Sequence, residues 1–387
     1  MRVRTETRSR WSVSAWRGSG VSSLLLSLLP AVAVAQGGVT QSGSGVGVQV
    51  AQGQSPSGGA ESDLQRGIAL TRQGRFAEAI PLLLASKGKG EGGYAANFNL
   101  ALCYVGSAMY GEAVTQLLAL KESGSATAAV SNLLAQAYLG EHDVEKAWPA
   151  VEEAIRQAPT DERMYAFLLD ACTDHYQYGL GLQTATLGMR SLPGSARLHY
   201  ERAVFLARLD RLEEAKPEFA KAAALDSEGD IGYLASVQAL LYEDDLPHAL
   251  ETARRAVKSG HRDFQMLSLL GTVLMYMGAT PEQPQFSEAR DALETSVRER
   301  SDYSTSQIGL GKLYLMEGRT TDAVTHLEIG RRLEPRNVAV YRSLAAAYRQ
   351  LGNREASAEC TRILAGLLRE TTVSVAPGKL QDSTRHR

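Results

Sequence analysis

The sequence predicts an all-α chain, a solenoid of about nine stacked helical hairpins over residues 61–370. Three observations predict it. A small residue returns every 34 positions, at Ala79, Ala113, Ala147, Gly181, Ala215 and Ala249, then again at Ala289, Ala323 and Ser357. Apolar residues within each period recur at three and four, the helical spacing. Short polar turns split each period in two: Gly74-Arg75, Asp210-Arg211, Gly318-Arg319 and Gly352-Asn353. One hairpin cannot bury its apolar face alone, so neighbours must stack.

In chain order, residues 1–35 have the layout of a secretory signal peptide. Arg2, Arg4, Arg8, Arg10 and Arg17 precede an apolar run from Val21, which ends in Ala33-Val34-Ala35. The run holds Pro30 and is shorter than the roughly 20 apolar residues a spanning helix needs. Cleavage after Ala35, rather than retention as an anchor, is therefore expected. The chain is then exported, to a periplasm or beyond the cell, with no membrane span left in it.

Residues 36–60 carry no charge and no aromatic ring, and Gly, Ser, Gln and Val dominate them. Such a stretch buries too little apolar surface to offset its ordering entropy, so a disordered linker is expected.

Several columns of the repeat keep the same phase. Twelve residues before the small residue stand Gly67, Ala101, Ala135, Ala203, Gly311 and Ala345, and Gly271 keeps the column once the six-residue insertion before Ala289 is allowed for, with Leu169 and Val237 departing. Four residues after it stand Leu83, Leu117, Val151, Phe219, Leu293 and Leu327. A small side chain at fixed phase lets two helix axes approach, and the large residues fill the space beside them. The one break in the period, 40 residues from Ala249 to Ala289, coincides with the Pro-rich stretch Ala279–Gln285, where an insertion costs little. The tail 371–387 is expected to be disordered.

These units resemble tetratricopeptide repeats. The unit of Leu134, Ala135, Tyr138, Ala147, Val151, Ala154 and Pro159 carries the pattern, as does that of Leu310, Gly311, Tyr314, Ala323, Leu327 and Pro335. The resemblance implies a right-handed α-solenoid whose first helices line a concave groove. It also implies a non-catalytic scaffold that binds a protein or peptide partner. By register, the groove positions include Phe98, Asn99, Asn132, Gln136, Phe167, Asp170, Tyr200, Glu201, Arg208, Gln238, Tyr242, Met275, Tyr276, Lys312, Arg342 and Arg349. Of these, Phe98, Asn99, Asn132, Gln136, Phe167, Tyr200, Tyr242, Tyr276, Lys312 and Arg342 are the candidate peptide groove. Some members of the family clamp a peptide's terminal carboxylate with Lys and Asn. Asn99, Asn132 and Gln136 have no Lys or Arg beside them, so that pattern is incomplete here.

Chemistry is sparse. The chain has 41 basic and 43 acidic residues, and loss of residues 1–35 leaves 36 against 42. That balance argues against nucleic-acid binding, which needs a basic surface. Three cysteines without a C-x-x-C pair argue against a structural zinc or a disulfide frame, and reduced, buried thiols are expected. His261-Arg262-Asp263 matches three residues of the kinase catalytic loop, but the accompanying Asn is Ser268. Asp170, Asp174, His175, Tyr176 and Tyr178 cluster in sequence and read as a solvated polar turn rather than a site. No cofactor or catalytic residue is expected. The rival expectation is an envelope assembly factor that acts by self-association.

Overall fold

The computed structural model describes residues 57–87 and 93–374. The expected export signal, nearly all of the expected linker and most of the expected tail lie outside the described residues.

The described residues form eighteen helices in nine hairpins, with no strand among them. Helices α1 (Ser57–Arg72) and α2 (Phe76–Ser86) make the first. They are followed by α3 (Gly93–Gly106) with α4 (Tyr110–Glu122), α5 (Ala128–Gly140) with α6 (Val144–Gln157), and α7 (Glu162–Asp174) with α8 (Tyr178–Ser191). The chain divides here into two compact units, one ending at Pro193 and one beginning at Gly194. The second unit holds α9 (Ala196–Arg208) with α10 (Leu212–Leu225), α11 (Asp230–Tyr242) with α12 (Leu246–Lys258), and α13 (Phe264–Tyr276) with α14 (Pro284–Glu299). It ends with α15 (Ser304–Met316) and α16 (Thr320–Leu333), then α17 (Val338–Gln350) and α18 (Arg354–Ser374). Each unit is an α-solenoid. Helix α1 starts and α18 ends four residues outside the expected 61–370.

The hairpins form for local reasons that repeat. Side chains at helix starts accept from backbone N–H groups that would otherwise lack partners: Asp143 from Lys146, Ser195 from Leu198, Asp263 from Met266 and Asn337 from Ala339. The turn inside every hairpin holds one residue in the left-handed region. It is Gly74, Gly278, Gly318 or Gly352 in four hairpins, and Ala108, His142, Tyr176, Asp210 or Asp244 in the other five. The turn takes three residues in eight hairpins and seven in the seventh, and only glycine adopts the left-handed conformation without penalty.

The periodic small residues lie where the helices cross. Ala79, Ala113, Ala147, Ala215, Ala249, Ala289 and Ala323 have no exposed surface, nor do Leu83, Leu117, Val151, Phe219, Leu293 and Leu327. A Cβ on Gly271 would come within 2.6 Å of Leu293, and one on Gly311 within 2.6 Å of Leu327. The weak fourth unit, with Leu169 and Cys172 in key columns, still closes into α7 and α8 around buried Leu168, Leu169 and Cys172. Cys103, Cys172 and Cys360 are free thiols, all buried. No described helix is long and apolar enough to cross a membrane.

Candidate functional site

Helix spacing sets the curvature. In each unit the first helices of successive hairpins touch directly: α1, α3, α5 and α7 in one, α9, α11, α13, α15 and α17 in the other. Second helices mostly do not. The closer spacing of first helices puts them on the inside of each curve, so their unshared faces form the inner surface.

In the unit ending at Pro193, the expected groove residues turn inward on one another. Phe98 is 1% exposed and stacks on Tyr94 with ring centroids 5.8 Å apart. Asn132 is wholly buried, and its amide donates to the Met164 carbonyl at 2.9 Å. Gln136 donates to the Asn132 side-chain oxygen at 2.6 Å. Asn99 donates to the Ala95 carbonyl at 2.8 Å, and Phe167 is buried. Asn132 ties α5 to α7 and Gln136 braces it from the same helix, a packing role that register alone does not separate from a binding one.

The polar cluster of the fourth hairpin gathers partners from two other hairpins. The His175 ring meets the Tyr110 ring edge-on at 5.7 Å and the His142 ring at 6.1 Å. Burial, reinforced by His142, lowers the His175 pKa to about 4. Among the described residues, no group of three or more His, Cys, Asp or Glu could hold a metal ion. His261-Arg262-Asp263 is a turn and cap: Asp263 receives the Met266 N–H at 2.8 Å, and His261 lies 2.5 Å from Asp230.

The unit from Gly194 has a different inner face. Tyr200 on α9 lies within electrostatic reach of Tyr242 on α11, of Asp263 before α13, and of Tyr303 before α15. Hairpins five and eight thus present aromatic residues toward a common space. Burial raises all four tyrosines Tyr200, Tyr242, Tyr276 and Tyr303, the last to about 12, with the Arg208 charge opposing it at Tyr242 and Tyr303. Burial also raises the Asp263 carboxyl. Tyr200 and Tyr303 are buried, whereas Tyr242, Tyr276 and Lys312 are half-buried and Arg342 is exposed. Tyr303 and Asp263 were not among the register positions, because both stand just before a first helix rather than within it. Their shared signal is the column that caps first helices.

Tyr200 and Tyr242 both pack on the buried Phe219 ring of α10, at 6.0 and 5.7 Å between centroids, Tyr276 is on the next first helix, and Lys312 and Arg342 stand on the first helices of the last two hairpins. Residues 308–362, across α15 to α18, match the family model described as Tetratricopeptide repeat. The chain carries tetratricopeptide repeats. Among solved structures, the tetratricopeptide fold here is similar to yeast Tom70, with a TM-score of 0.53 at 15% identity over 83% of this chain and 68% of that one. It is also similar to Cut9 in the APC/C hetero-tetramer Cut9-Hcn1, with a TM-score of 0.47 at 12% identity over 80% and 74%. A third is YrrB, described as a TPR protein with an unusual peptide-binding site, with a TM-score of 0.33 at 18% identity over 50% of this chain and 96% of that one. No curated protein sequence matches the chain. At these identities the likeness is one of fold.

Proposed function

We propose that the chain is a non-catalytic interaction scaffold, exported from the cytoplasm, that holds an extended peptide or partner segment on the inner face of the unit from Gly194. The observation that carries this reading is the half-buried pair Tyr242 and Tyr276 on the touching first helices α11 and α13, with buried Tyr200 and Tyr303 within electrostatic reach. Tyrosine offers large contact area, little rotamer entropy to lose and a hydroxyl for orientation. A repeat architecture also leaves this surface long and continuous within the unit, as an extended ligand requires.

The test is capture from a bacterial envelope extract and from the soluble extract of the same cells. The full chain is compared with a Tyr200→Ala, Tyr242→Ala, Tyr276→Ala variant shown by circular dichroism to stay helical. A protein held by the wild type and lost from the variant supports the reading, and the extract it comes from reports on export. Equal capture by both would move the site off this face. Capture of only the chain itself would favour self-association.

A further inference from the structure

The exposed apolar side chains of the unit from Gly194 are not scattered. Among the described residues, the three most exposed large ones are Met277, Met316 and Leu351, at 47%, 48% and 48%. Single exposed apolar side chains are ordinary, whereas a contiguous row of them asks for a partner. These three stand at the turns of three successive hairpins. Met277 directly follows α13, Met316 ends α15 and Leu351 directly follows α17. Stacking puts those turns on one edge of the unit. Helices α11, α13, α15 and α17 touch in succession, so steps of about 8–10 Å separate one turn from the next.

Charge is ordered along the same edge. In the turn of the sixth hairpin, Glu243 takes the register position of Met277 and Leu351, and Asp244 follows it. Both are exposed, and neither forms an ion pair among the described residues. In the ninth hairpin, exposed Arg349 and Arg354 flank Leu351, again without an ion pair among the described residues. Lys216 is within electrostatic reach of Glu243 but is held by Glu213 at 2.9 Å, and Glu355 follows Arg354. The two ends still stay opposite in sign. Glu317 would interrupt the apolar row, but Arg290 at 2.6 Å and Arg319 at 3.5 Å occupy its carboxylate. From the sixth hairpin to the ninth the edge therefore reads acid, apolar, apolar, then apolar with base.

That order is complementary to its own reverse. We propose that this edge binds the same edge of a second copy of the chain, antiparallel, about a two-fold axis between the seventh and eighth hairpins. Met277 then packs on Met316 of the second copy, and Glu243 and Asp244 meet the second copy's Arg349 and Arg354 beside its Leu351. An isologous contact makes each of these pairings twice. Methionine suits such a ridge, because its adaptable thioether fills a surface that is not shaped in advance. A lipid surface fits less well, since Glu243 and Asp244 would face anionic headgroups. The strip is about 30 Å long, small for an interface, so a reversible dimer in the micromolar range is expected. The proposal does not draw on the tyrosine face.

Sedimentation velocity of the full chain over a concentration series tests it. The wild type should pass from monomer to dimer, and added salt should weaken the dimer. Glu243→Arg with Asp244→Arg makes both ends basic, and Arg349→Glu with Arg354→Glu makes both ends acidic. Each variant alone should dimerise about tenfold more weakly or worse. An equal mixture of the two should recover a dimer near wild-type affinity, because each copy then meets its opposite at both ends. Met277→Lys with Met316→Lys should abolish the dimer. All the substituted residues are exposed, and circular dichroism checks that the variants stay helical. A wild type still monomeric at about 100 µM, a dimer indifferent to the charge reversals, or a mixture no tighter than its components would each overturn the proposal.

Discussion

Tyr348 donates its hydroxyl to Glu328 at 2.8 Å across the junction of the last two hairpins, and Tyr314 does the same to Glu294 at 3.0 Å one hairpin earlier. Burial, then the Glu328 carboxylate, push the Tyr348 pKa up to about 12 from an ordinary 10. The folded state therefore holds this proton more tightly than the unfolded chain. Its contribution is intact below about pH 10 and is lost as pH rises toward 12. Tyr348→Phe should cost about 1 kcal/mol at neutral pH and flatten the alkaline arm, measured by urea unfolding from pH 8 to 11.

His175 gives the opposite arm. Its folded pKa of about 4 lies below the ordinary 6.5, so on acidification the unfolded chain takes up the proton first. Stability is full above pH 6.5 and falls as pH drops toward 4, by at most about 3 kcal/mol. His175→Asn should reduce this loss. Thermal melts between pH 4.5 and 7.5 that remain parallel for wild type and variant would show that His175 is not buried as a neutral ring.

The left-handed turn column makes a paired prediction. A Cβ at Gly318 would meet nothing within 4 Å, so Gly318→Ala reports backbone conformation alone. It should cost about 1 kcal/mol. Ala108, in the same conformation, should gain several tenths of a kcal/mol, up to about 1, on replacement by Gly. Chemical denaturation of both variants checks the two signs together.

Gly311 and Leu327 are expected to couple. A Cβ at Gly311 would lie 2.6 Å from Leu327 Cγ and 3.2 Å from the Ala323 carbonyl. Gly311→Ala should cost roughly 1–3 kcal/mol, and Leu327→Ala about 2–5 kcal/mol. The double variant should be destabilised by less than the sum, and an additive result in a double-mutant cycle would contradict the packing described.

Much of the fold was legible because it is periodic. Ala79, Ala113 and their successors mark helix crossings, and a position that tolerates only a small side chain announces itself every 34 residues. Even the degenerate hairpin at Leu169 closes, since stacking neighbours supply the burial its own sequence signals weakly. The inner face was only partly legible. Register places Asn132 and Tyr242 alike on first helices, yet Asn132 is consumed by the Met164 carbonyl while Tyr242 is half-buried beside other rings. Which of the two happens depends on the neighbouring hairpin, not on the residue's own column. Tyr303 and Asp263 stand at the N-caps of first helices, outside the groove columns, and still come within electrostatic reach of Tyr200.

The three thiols are silent clocks. Burial raises the pKa of each, that of Cys103 to about 11, so the nucleophilic thiolate is scarce in the closed molecule. Alkylation then waits for a hairpin to open, and its rate counts openings at three addresses without any label being engineered. Cys103 and Cys172, with no exposed surface, time the second and fourth hairpins, and Cys360, 5% exposed, times the ninth. Mass spectrometry after brief iodoacetamide exposure should therefore find Cys360 modified well before Cys172, turning hairpin opening into a measurable sequence of events.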